Sequence, residues 1–224
     1  MDPMSITATS LLNDIDRLGT LSHNLANATT PGFRRDVAVA RGGFDARLSS
    51  ELDRTQGAMR YSANALDVAL ESDGFFVLQS AAGPMLTRHG ALHLDPSGRL
   101  VGPNGGAVLG TSGEIVLSQP EPRIDQAGNV WDGDKLAGQI RIVRAPADGS
   151  MVSLGNGMYA SDSGALQDIE TPRLRQGYVE GSNVVPMREM VRLIETMRHF
   201  EAGQRVVRSH DEMLERALGV LGEP

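Results

Sequence analysis

Leu21-Ser-His-Asn-Leu-Ala-Asn27-Ala-Thr-Thr-Pro31-Gly-Phe33 is the stretch on which the fold turns, because one kind of structure ends in it and another begins. Upstream, Met4, Leu11, Leu18 and Leu25 recur every seventh residue, with Ala8, Ile15 and Ser22 four further on. This heptad stripe predicts an amphipathic helix over residues 1–30, packed either on its own domain or on a partner helix. Within the stretch, Thr30 precedes a proline and is biased to extended backbone, while Pro31-Gly32 suits the two central positions of a type II turn. The helix stops there.

Downstream the pattern changes. Apolar runs at Leu66–Leu70, Phe75–Leu78, Ala91–Leu94, Ala107–Leu109, Gln139–Val143 and Met158–Ala160 are separated by Gly, Pro, Asp and Asn. Asp95-Pro-Ser-Gly98-Arg-Leu100 and Asp125-Gln-Ala-Gly128-Asn-Val130 share one form. It suits a tight turn in which aspartate bonds its own backbone and glycine takes positive φ. The runs predict a compact all-β domain over residues 66–175. Residues 31–65, weakly periodic and with scattered charge, are expected as an extended connector.

The C-terminal end, residues 176–224, mirrors the N-terminal one. Ser182 or Asn183 can cap a helix and Pro186 fits its first turn. Leu193, Phe200, Val207, Leu214 and Leu221 then repeat every seven residues, and Met190, Met197, Gln204, Asp211 and Leu218 fill a complementary seam. Gln204 and Asp211 either fix the register of a coiled coil or lie at a solvated edge. The fold class expected is mainly β with α-helical termini.

Composition narrows the function. The 224 residues carry 21 Lys and Arg against 28 Asp and Glu, a net charge of −7, which argues against a nucleic-acid partner or an anionic membrane. There is no cysteine, so disulfides and thiolate chemistry are excluded. The first twenty residues lack the apolar core of a signal peptide, and no run is long enough to span a bilayer, so no direct membrane insertion is expected. His89 and His93 fall in an expected strand, about 13 Å apart at 3.3 Å per residue, too far to share a metal ion. His199 and His210 lie about 16 Å apart along a helix and fail for the same reason. Asp125–Asp134 matches a calcium loop loosely, with Ala127 where a ligand belongs. No catalytic, cofactor-binding or metal-binding residue is assigned.

Three stretches together resemble the axial proteins of the bacterial flagellum, the rod and hook family. The first is Leu21–Phe33, with Asn24, Leu25, Ala26, Asn27, Thr30, Pro31, Gly32 and Phe33 as motif residues and His23 where an asparagine is more usual. The second begins at Ala65, carries Asp73, Gly74, Phe75 and Phe76, and continues through Thr87-Arg-His-Gly90 and Leu94–Leu100. The third is Gln176-Gly-Tyr-Val-Glu-Gly-Ser-Asn183 with Gly181, Ser182 and Asn183, running on to Ala202. The short connector between Phe33 and Leu66 is closer to a proximal rod subunit than to a distal rod or hook subunit.

The resemblance implies a non-enzymatic structural subunit of the basal-body rod, the drive shaft that passes torque from motor to hook, without cofactor. Its partners are other rod proteins and copies of itself in a helical axial assembly. The family further implies passage through the flagellar type III export apparatus without a cleaved signal peptide, and a place in the periplasmic rod. The terminal helices are expected to pair as a coiled coil in the inner tube, as one discontinuous domain, with the β-domain outside. Leu11, Ile15, Leu18, Leu25, Met190, Leu193, Met197, Phe200, Val207, Leu214 and Leu218 are then the assembly residues. Head-to-tail contacts of this kind build helical assemblies instead of closed rings. The alternative from a different class, a secreted ligand-binding β-domain with oligomerising helices, needs an apolar pocket with convergent polar groups, and nine aromatic residues are few to line one.

Overall fold

The computed structural model describes residues 3–40, 47–80, 83–145, 151–161 and 166–221. It is mainly β with a long helix at each end, α1 over Pro3–Ala26 and α2 over Pro186–Leu221. The chain divides into two compact units, each built from non-contiguous segments. Met1–Ala26, Asp36–Asp53 and Val185–Pro224 make a helical unit, and Asn27–Arg35 with Arg54–Val184 make a β unit. No helix among the described residues is long and apolar enough to cross a membrane.

In the helical unit α1 and α2 run antiparallel, and a hairpin packs on α1. Its strands are β1, Asp36–Ala40, and β2, Leu48–Leu52, with Asp36 opposite Leu52 and Ala40 opposite Leu48. The stretch 31–65, expected as an extended connector, therefore contains this hairpin. It also contains a strand, Met59–Tyr61, paired with Tyr178–Glu180 in the β unit. Burial does not alternate along either strand, β1 being half-buried over Asp36–Val39 with Ala40 exposed and β2 having Ser49 and Ser50 exposed side by side, so the period-two signal that announces a strand is missing.

Phe75–Ser80 lies at the centre of the main sheet of the β unit, between Gly83–Thr87 and Ala107–Gly110, and Ile142–Arg144 pairs its first residues. Phe75, Phe76, Val77 and Leu78 are all buried, which explains a continuous apolar run where a half-exposed strand would alternate. Phe76, Leu78, Leu100, Val108, Ile115 and Ile140 form the middle of one core.

The two aspartate turns are built alike. Asp95 Oδ1 accepts the N–H groups of Ser97 at 2.8 Å and Arg99 at 2.9 Å, and Asp125 Oδ1 accepts those of Ala127 at 2.9 Å and Asn129 at 3.0 Å. Residue i+4 then returns its side chain to the other carboxylate oxygen, Arg99 Nε at 2.8 Å and Asn129 Nδ2 at 2.9 Å. Bonds from Arg99, backbone first and side chain next, hold the Asp95 carboxyl below the ordinary aspartate range. Pro31-Gly32 makes the expected turn, closed by Phe33 N–H donating to the Thr30 carbonyl at 3.3 Å, with Gly32 at φ +68°. A side chain at Gly32 would also bring its Cβ to 2.4 Å from the Arg88 backbone, so glycine is required twice over.

Helix α2 starts at Pro186 as its sequence predicts, but the cap is the Val185 carbonyl, which accepts from Arg188 at 3.0 Å and Glu189 at 3.1 Å. Ser182 and Asn183 work elsewhere. Ser182 Oγ accepts the Val184 N–H at 3.2 Å, and Asn183 bridges two segments of the β unit.

Candidate assembly interface

The antiparallel register of α1 and α2 is set by three contacts. Asn24 faces Glu189, Asp14 faces His199, and Leu11 packs on Gly203, where a Cβ would come within 2.8 Å of the leucine side chain. Gly203 is thus a seat for Leu11. The same register brings the start of α1 level with His210, so that Asp211–Leu221 extends past it.

Asn24 is 1% exposed and acts as a clamp. Its Nδ2 donates to the Asp36 carbonyl at 2.8 Å while its Oδ1 accepts the Asp36 N–H at 2.8 Å, the pair of bonds a neighbouring strand would make. Nδ2 also reaches Glu189 Oε2 at 3.3 Å, and Glu189 takes Arg192 at 3.3 Å on its other oxygen. One side chain therefore ties α1, the hairpin and α2. Asn24→Ala strips partners from two part-buried backbone groups of Asp36 and is expected to cost the helical unit about 1–2 kcal/mol. The check is a lower thermal midpoint for the helical circular dichroism signal.

Burial along both helices follows one rule. The stripes Leu11, Leu18, Leu25 and Leu193, Phe200, Val207 are half-buried. The flank three residues on from each stripe is the covered one, with Asp14 2% and Leu21 8% exposed on α1 and Thr196 and Gly203 half-buried on α2. The flank four residues on is open. Ile15 is 51% exposed, and Met190 and Met197 are each 47% exposed. Periodicity predicts the stripes but also assigns Ile15, Met190 and Met197 to the seam. They lie outside the intramolecular contact because each helix has a single long partner in its own chain and covers one flank with it. Leu214, aligned with the stripe, is 50% exposed because no α1 residue faces it, and the Leu218 side chain lies outside the described residues. Gln204 is half-buried, whereas Asp211 is solvated.

The motif residues of the β unit converge on a charge cluster that motif reading overlooks. Glu180, 1% exposed, is held by Arg34 at 2.9 Å and Arg88 at 2.7 Å, two guanidinium groups whose side chains are 4% and 2% exposed. Glu180 Oε1 also accepts the Gly57 N–H at 3.1 Å, and Arg88 donates to the carbonyls of Ser72, Gly74 and Leu70 at 2.8, 2.7 and 3.2 Å. Burial pushes the Arg34 guanidinium below its ordinary pKa, against the pull of Glu180. Arg88 and Glu180 come from the second and third motif stretches, and Arg34 directly follows the first. The available signal is that Arg88 and Glu180 sit in apolar or glycine-rich runs where a charge needs a partner.

Around this cluster the other motif residues have structural duties. Phe33 is 1% exposed, and its carbonyl accepts from Asn183 at 3.3 Å. Asn183 Oδ1 accepts the Arg35 N–H at 2.7 Å, and its Nδ2 donates to the Thr55 carbonyl at 2.9 Å. Thr30 Oγ1 donates to Asn27 Oδ1 at 3.2 Å, and Gly181 N–H donates to Ala58 at 2.8 Å. Gly74, at φ +128°, is packed under Ile142 and Ile169 beside buried Phe75 and Phe76. Leu25 is half-buried, while Ala26 and Asp73 are exposed.

Comparison with known proteins identifies the family. Residues 175–220, which include most of α2, match the flagellar basal body rod FlgEFG protein C-terminal family. The chain is 32% identical to the flagellar basal-body rod protein FlgF of Escherichia coli over 225 residues, covering 88% of this chain and 89% of that one. It is 29% identical to FlgF of Mesorhizobium japonicum over 221 residues, 92% of each chain. It is 29% identical to the rod protein FlgG of Buchnera aphidicola subsp. Acyrthosiphon pisum over 238 residues, 88% of this chain and 90% of that one. Alignment over 88% of the chain at 32% identity places it in the flagellar basal-body rod protein family, on the FlgF-like side of it.

Proposed function

We propose that the chain is a structural subunit of the basal-body rod that joins its neighbours axially through α1 and α2, in the place of a proximal rod subunit. The observation that carries this reading is the open flank shared by the two helices, Ile15 on α1 and Met190, Ile194 and Met197 on α2, each between 47% and 51% exposed beside a stripe already in use. An apolar flank on a helix is stable in water when something covers it. Helices of other rod proteins and of further copies are the covering partners, in a helical assembly that passes torque from motor to hook. The subunit reaches the periplasmic rod through the flagellar type III apparatus.

Leu214 tests this. It continues the stripe on the part of α2 that extends past α1, so Leu214→Asp leaves a charge in solvent in the free chain and buries one in the rod. The expected result is unchanged thermal unfolding of the purified protein and swimming rates in soft agar reduced at least about tenfold when the variant is the sole copy. Normal swimming overturns the reading.

A further inference from the structure

The sulfur of this chain is all methionine, ten residues with no cysteine beside them. Four of the ten are exposed on α2: Met187 72%, Met190 47%, Met197 47% and Met213 62%. Met187, Met190 and Met197 stand three and seven residues apart, so they share one face of the helix with Val191 and Ile194, which are 50% and 49% exposed. At 100° per residue the five side chains fill an arc of about 120°, next to the stripe that packs on α1. Methionine is the sole oxidisable member of this arc. Met158, in the β unit, is 8% exposed and serves as an internal reference.

We propose that Met187, Met190 and Met197 form an oxidation-sensitive modification site that controls whether the α2 flank can be covered, an inference that rests on the assembly role proposed above. The oxidant class is a peroxide. The thioether sulfur attacks one peroxide oxygen, the O–O bond breaks, an S–O bond forms, and hydrogen peroxide leaves as water; sulfur loses two electrons and peroxide gains them. The product is a polar sulfoxide with an acceptor oxygen, set in a face whose neighbours are Val191 and Ile194. An apolar partner helix has no donor for it, so three sulfoxides turn an associating flank into a solvated one. Covering the flank in turn excludes peroxide, which makes the site open before incorporation and closed after it.

The test uses the purified full-length chain and isolated basal bodies, both treated with hydrogen peroxide and followed by peptide mass spectrometry. In the free chain Met187, Met190 and Met197 are expected to oxidise about tenfold faster than Met158. In basal bodies the same three are expected to slow to the rate of Met158. If the free chain oxidises all methionines at one rate, the oxidation site is overturned and the assembly role stands. If the three oxidise equally fast in basal bodies, the flank is not covered and the assembly role itself falls. A chain carrying M187L, M190L and M197L retains after peroxide treatment the concentration-dependent association that the treated wild type loses, as measured by sedimentation. Equal loss in both overturns the inference.

Discussion

Glu180→Ala lowers the thermal midpoint of the β unit by roughly 10–20 °C. The substitution leaves Arg34 and Arg88 facing each other with side chains 4% and 2% exposed and no carboxylate between them. Removing one member of a buried charge cluster costs about 3–5 kcal/mol, a large part of the stability of a domain this size. The cost falls on the junction of three chain segments, because the Gly57 N–H loses its acceptor as well. Trp131, the single tryptophan, lies in the β unit and reports the transition by fluorescence, so the expected reading is a urea midpoint moved far down. The order of effects is also set. Arg34→Met should cost least, since Glu180 keeps Arg88, and Nε and Nη1 of Arg34 are already without hydrogen-bond partners among the described residues. Arg88→Met should cost more, since three carbonyls lose their donor.

Met190→Asp with Ile194→Asp abolishes swimming while leaving the free chain as stable as before. Both side chains are about half exposed, on the flank that α1 does not cover, so the two changes together alter the monomer by no more than about 1 kcal/mol. Inside a helix packing the two carboxylates are buried without partners, which is prohibitive for association. The expected pattern is a wild-type thermal melt, exported protein present, and no filaments on cells that carry the variant as their sole copy. A conservative pair, Met190→Leu with Ile194→Leu, keeps the flank apolar and keeps motility. Loss of motility in the leucine pair together with the aspartate pair would show that shape, and not burial of the flank, is what matters there.

The stripe Leu11, Leu18, Leu25 and its counterpart Leu193, Phe200, Val207 are legible because a seven-residue apolar repeat belongs to no other structure of this length. The side toward which each helix leans is not. Positions three and four residues on lie to either side of the stripe at similar angles, so Ile15 and Asp14 compete for burial on equal geometric terms. Asp14 is buried because His199 stands 2.6 Å from it, a partner 185 residues away. The aspartate turns are legible for the opposite reason, since Asp95 and Asp125 find every partner within four residues. The hairpin strands Asp36–Ala40 and Leu48–Leu52 show no alternation of burial and are therefore silent in pattern. Arg34, Arg88 and Glu180 are visible as letters, but their cluster exists through strand pairing of distant segments.

The Asn24 amide holds at Asp36 both positions that the backbone of an incoming strand would need. An open strand edge is otherwise a template on which another chain can pair edge to edge, an aggregation hazard. With that rung occupied by a side chain of the same molecule, pairing along the β1 edge is blocked at its first residue. A single buried asparagine thus does for the start of β1 what a further strand would do, and leaves no place there for one from another molecule.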